Sequence, residues 1–174
     1  MRALGPGSVS SFLKFVLDVA YLALVIGLVG VILLAFAALL FSVNPSLLEN
    51  VRIEPAGQFP ERAPVVIAGL LAAGGYMAGV LVILGALRRI FVTLTAGDPF
   101  HPDNVGRLRL VGLMLAALEL GRYVLWAVSA WLPWVRDVEP SFSLTAWFSV
   151  LVVFVLAEVF REGARLRREA ELTI

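Results

Sequence analysis

VAYLALVIGLVGVILLAFAALLF, residues 19–41, carries no charged side chain. As a helix rising 1.5 Å per residue it would reach about 35 Å, more than the ~30 Å hydrocarbon core of a bilayer. A second charge-free run, APVVIAGLLAAGGYMAGVLVILGAL, fills residues 63–87. A third runs from 108 to about 131 and holds Glu119 and Arg122; a fourth, about 144 to 160, is interrupted only by Glu158. Backbone exposed to lipid must satisfy its own hydrogen bonds, so all four runs read as helices. The expected fold is an all-α, integral membrane four-helix bundle forming a single membrane domain over 1–174. Its spans lie at about 15–41, 63–87, 108–131 and 144–160. A connector follows at 88–107 and a tail at 161–174.

Composition agrees. Of 174 residues, 60% are hydrophobic and 16% charged, whereas an ordinary soluble domain is about a quarter charged. A small globule cannot bury such an excess, because its surface is large for its volume. The chain has no cysteine and one histidine. That excludes disulfides and thiolate chemistry, and any metal site built on several histidines. No metal or cofactor is expected. The Ala35-Phe36-Ala37 triplet has the form of a signal-peptidase site, but the apolar run before it is too long for a signal peptide. The expected reading is an uncleaved span.

The basic residues give the orientation. Arg2, Lys14, Arg88, Arg89, Arg107, Arg109, Arg161, Arg165, Arg167 and Arg168 fall on one side; Arg52, Arg62 and Arg136 fall on the other. Basic residues collect on the cytoplasmic side, so both termini and the connector are expected there. Residues 42–62 and 133–141 would face outward, with Trp131, Trp134 and Trp147 near the outer interface. The expected location is the inner (plasma) membrane, multi-pass.

The polar passage GDPFHPDNVGRLRL, residues 97–110, lies in the connector. Gly97 suits a left-handed helix stop. Pro102 suits the first position of a new helix, and Asp103 the first turn, where the helix dipole favours negative charge. Stop and start signals thus explain most of the polarity. His101 lies between Asp98 and Asp103, but no nucleophile, orienting group or ligand set accompanies it. No catalytic residue is assigned, and the chain is read as a non-enzyme.

The connector LTAGDPFHPDNVGRLRLVG and the tail VFREGARLRREAELTI together resemble the bacterial family described as domain of unknown function 2975. Gly97, Pro99, Phe100, Asn104, Arg107 and Leu108 match in the connector; Phe160, Gly163, Leu166, Glu169 and Leu172 match in the tail. The resemblance implies a small four-helix membrane protein with no established activity. Its members are often encoded beside a small helix-turn-helix regulator, which implies a membrane partner or sensor for a transcription factor. Too little non-membrane sequence remains for a DNA-binding unit of its own, so no direct nucleic-acid binding is expected. The candidate partner surface comprises Asp98, Phe100, Asn104, Arg107, Glu162, Leu166 and Glu169, with membrane lipid as the other partner.

Glu119 and Arg122 are three apart and share a helix face. They lie about 17 and 21 Å beyond Leu108, in the middle to outer half of the span. Ionised residues there usually face the bundle interior. An intrahelical pair braced by Tyr123, Ser129 or a neighbouring helix is the expected reading; a transport site is the alternative. Asp18 and Glu158 are expected to meet Arg89, Arg107 or Arg161 at the inner interface. The Gly75/Gly79 and Ala68/Ala72 pairs allow close helix approach, inside the monomer or in a homodimer. Val159, Gly163, Leu166 and Ala170 form a narrow apolar stripe along the tail, which pairs of Arg165 with Glu169 and Arg167 with Glu171 would stiffen. The leading functional expectation is a regulatory membrane protein that binds a small cytoplasmic regulator. The alternatives are a small transporter or channel component, or a subunit of a larger membrane complex.

Overall fold

The computed structural model describes residues 9–44, 59–129 and 142–172. Arg2, Arg52, Trp131, Trp134 and Arg136 lie outside them, with most of the 42–62 and 133–141 loops, and the side chains of Arg62 and Glu171 are not described. The described residues form four helices and no strand: α1 Val9–Val43, α2 Phe59–Thr95, α3 Pro102–Ser129 and α4 Leu144–Glu171. Each is long and apolar enough to cross a membrane. Their outward faces carry large apolar side chains along the whole length, including Leu22, Ile26 and Phe36 on α1 and Leu151, Val155 and Val159 on α4. Continuous apolar surface on this scale is lipid-facing, since soluble proteins expose only small apolar patches. The chain is a multi-pass membrane protein.

The helices outrun the apolar stretches. α2 continues through Arg88 to Thr95, and α3 begins at Pro102. The 88–107 connector is therefore mostly helix, with only residues 96–101 between helices. α4 runs on past Phe160 to Glu171, so the charged tail is helical. Ser143 caps its start, its side chain accepting from the backbone N–H of Ala146.

Two compact units make up the chain. One, residues 22–78, joins parts of α1 and α2. They approach through glycine: a Cβ on Gly27 would lie 2.7 Å from Met77 Cε, and Gly74 faces Leu28 and Val31. The other unit contains residues 1–21 and 79–174. Its core joins three helices in two layers. Ile83 and Ala86 of α2 pack with Val111 of α3, Leu118 and Val153 lying alongside. Nearer the connector, Ile90 of α2, Leu108 of α3 and Ala157 of α4 meet under Leu94 and Phe160. α3 and α4 are the most extensively paired helices. The Phe154 ring lies so close to Gly112 that a Cβ there would fall 3.1 Å from it.

Of the predicted glycine pair, Gly79 is used inside this unit, with Leu118 seated on it, while Gly75 has open space before it.

Candidate functional site

α2 ends as the residue types dictate. Gly97 has φ +84, the left-handed conformation that only glycine adopts without strain. The N–H of Asp98 donates to Thr93 O at 3.0 Å and that of Gly97 to Leu94 O at 3.1 Å. This double closure satisfies carbonyls that the helix end would leave bare. His101 then caps α3. Its Nδ1 accepts from the Asp103 N–H at 3.3 Å, and its carbonyl accepts from the Asn104 N–H at 2.9 Å. Pro102 occupies the first helical position, where its missing N–H costs nothing.

Asn104 holds this turn together. It is fully buried, and it is hydrogen-bonded on both sides. Its Nδ2 donates to Thr93 Oγ1 at 2.7 Å and to Pro99 O at 3.1 Å. Its Oδ1 accepts from Arg107 at 2.9 Å. The same Arg107 nitrogen reaches Arg89 O at 3.2 Å, and Thr93 passes its own hydroxyl hydrogen to Ile90 O. The amide ties the end of α2, the turn and the start of α3 into one network. Each of its bonds replaces water that a buried amide cannot reach.

The turn is docked onto α4. The Phe100 ring sits against the backbone of Gly163, where a Cβ would fall 2.6 Å from two ring carbons. It also meets Phe160, centroids 5.6 Å apart with the rings tilted. Beside it Asp98 accepts a hydrogen bond from Arg167. Phe160, Gly163 and Arg167 are three and four apart, one face of a helix. Packing contributes more here than charge: the ion pair is a third to a half exposed, and such pairs contribute about 0–1 kcal/mol. Between turn and helix is a recess of about 260 Å³, lined by the apolar Phe100, Pro102 and Ala164 and by Asp98, His101, Arg167 and Arg168.

The predicted partner residues therefore divide. Asp98 and Phe100 are joined to α4. Asn104 is internal and Arg107 largely so; both hold the connector's shape and offer a partner little surface. Glu162 and Glu169 are exposed and flank Arg165, at 2.5 and 3.8 Å. Leu166 is 54% exposed, on the side away from the docked turn. The tail stripe of Val159, Leu166 and Ala170 points outward, with only Gly163 turned in. Thr93, Ala164, Arg167 and Arg168 were not singled out as surface or connector residues. The spacing of 160, 163, 164 and 167 was the available signal for the α4 residues.

Other polar pairs fasten the same end of this unit. Asp18 of α1 accepts from Arg88 at 2.5 Å, and that guanidinium lies 4.5 Å over the Tyr21 ring. Glu158 pairs with Arg161 within α4 and reaches Arg109 of α3 at 4.0 Å. Deeper in α3, Glu119 is buried and clasped by two guanidinium nitrogens of Arg122, at 2.6 and 3.2 Å. Arg122 also stands over Tyr123, whose hydroxyl accepts from Trp147 of α4. Ser129 is not part of this group; it donates to Trp126 O.

Among the described residues no group of three or more His, Asp or Glu side chains is arranged to hold a metal. A family model described as "Protein of unknown function (DUF2975)" matches residues 50–174. No curated protein and no solved structure matches the chain.

Proposed function

The chain belongs to the DUF2975 family, and from its geometry we propose a non-enzymatic regulatory protein of a bacterial inner membrane that docks a small cytoplasmic helix-turn-helix regulator. The carrying observation is the joining of the connector to the tail through Phe100, Gly163 and the Asp98–Arg167 pair. Two segments 60 or more residues apart in sequence become one rigid, charged face. A preorganised face loses little entropy when a partner binds. The excess of basic residues at this end supports a cytoplasmic placement.

The surface is tested on the outer flank of the tail helix, turned away from the docked turn, at predicted partner residues that are exposed and not needed for the fold. Glu162→Arg and Leu166→Asp are introduced into the full chain, which is then extracted in mild detergent. Wild type should retain a helix-turn-helix protein, identified by mass spectrometry; the double variant should lose it at unchanged thermal stability. Retention by the variant, or co-purification of other integral subunits instead, overturns this reading.

The closed geometry of Glu119 and Arg122 supports a structural pair in preference to a transport site. A flux in proteoliposomes that vanishes with Glu119→Gln would reverse that assignment.

A further inference from the structure

The recess between the connector turn and α4 combines features that neither the fold nor the docking of a regulator requires. The arginines along the tail are mostly neutralised: Arg161 by Glu158, Arg165 by Glu162 and Glu169, and Arg167 by Asp98. Arg168 differs. It donates through Nε to the Ala164 carbonyl, at 3.4 Å, and has no carboxylate partner among the described residues. It lines the recess together with Arg167 and His101. Arg167 and Asp98 cancel, so the lining has a formal charge of +1 with the histidine neutral. The rest of the lining, Phe100, Pro102 and Ala164, is apolar.

Depth identifies the occupant. Phe160 ends the apolar stretch of α4. Ala164 and Arg168 follow by four and eight residues, about 6 and 12 Å along a helix. Each interfacial layer of a bilayer is about 5–8 Å deep beyond the hydrocarbon. The Arg168 side chain folds back to the Ala164 carbonyl, within that layer, so the recess opens at the level of lipid phosphates. A guanidinium fork binds phosphate in two-point geometry, and the apolar lining can accept the glycerol and the first methylenes.

We propose that this recess is a binding site for the headgroup of an anionic phospholipid from the leaflet on the connector side, with Arg168 as the phosphate ligand. This inference does not depend on any regulator. By tying lipid to the connector and α4 at once, it would make the connector-tail face sensitive to the anionic lipid content of the membrane.

The test uses the full chain purified in a non-ionic detergent, with phosphatidylglycerol added at a fixed molar ratio and phosphatidylcholine as the neutral control. Phosphatidylglycerol should raise the midpoint of thermal unfolding by about 2–4 °C over phosphatidylcholine, since a ligand of the folded state stabilises it by mass action. Arg168→Gln, at an exposed position, should abolish that difference without changing the midpoint in detergent alone. Arg165→Gln, which removes an equal charge from the same helix, should leave it intact. Equal shifts from both lipids, survival of the difference in Arg168→Gln, or its loss in Arg165→Gln would overturn the proposal. So would an equal shift from inorganic phosphate, which would mark a free-anion site.

Discussion

A methyl group on Gly163 would lie 2.6 Å from two ring carbons of Phe100. In an isolated helix the same change, glycine to alanine, stabilises by about 1 kcal/mol. The two effects oppose each other, and the ring decides the outcome. Gly163→Ala should lower stability in the wild-type background, where overpacking costs about 1–3 kcal/mol. It should raise stability by up to about 1 kcal/mol when Phe100→Ala has already removed the ring. Thermal unfolding of the four proteins of this cycle reads the reversal of sign directly. Asn104 gives a second residue-scale test. Asn104→Asp keeps an acceptor for Arg107 but turns a carboxylate oxygen toward Pro99 O, to which the amide donates at 3.1 Å. Losing the donor while its partner stays buried should cost about 1–3 kcal/mol, despite the near-identical shape.

At the scale of the element, α3 presents one inward line: Asn104, Leu108, Val111 with Gly112, and Glu119. Gly112 is the point of closest approach to α4, so Gly112→Val should push Phe154 away and cost about 1–3 kcal/mol. Gly106 lies on the same helix with nothing within 4 Å, and Gly106→Ala should stabilise by about 0.5–1 kcal/mol. Circular dichroism melts of the two variants should move in opposite directions. The ends of these helices were legible in the sequence. Gly97 as a stop and Pro102 as a start act on backbone a few residues away, and local chemistry is enough to read them. The partnerships across helices were not legible: Asp98 with Arg167 and Asn104 with Thr93 depend on how two helices are rotated about their axes. The apolar tail stripe divides for a related reason. Hydropathy marks the inside of a helix in water, but lipid takes apolar side chains on the outside and leaves small residues at the contacts. Hence Gly163 and Ala164 face in and Val159 faces out, while Leu166, beyond the span, is exposed without lipid to explain it.

For the whole molecule, the four apolar runs announced the architecture because a bilayer fixes the length of what crosses it. Orientation rests on the distribution of arginine and is open to direct measurement. The chain contains no cysteine, so each introduced cysteine reports its own side without background. In intact cells, Leu172→Cys and Phe100→Cys should resist a membrane-impermeant maleimide and react after permeabilisation, while Ser141→Cys should react without it. Reversed labelling would place the connector-tail face outside and remove the ground for a cytoplasmic partner.

The clasp between Glu119 and Arg122 also bears on how the chain is made. α3 is the least apolar of the four candidate spans, and each ionised residue near the centre of a span opposes insertion by about 2.5–3.5 kcal/mol. Leaving the translocation channel alone would be unfavourable for this helix, whereas α4 offers it Trp147 beside Tyr123 and Phe154 on Gly112. The growing chain should therefore hold α3 at the channel until α4 has been synthesised and release the two as a hairpin. Biogenesis, on this account, proceeds in unequal steps, with the last two helices entering the lipid together.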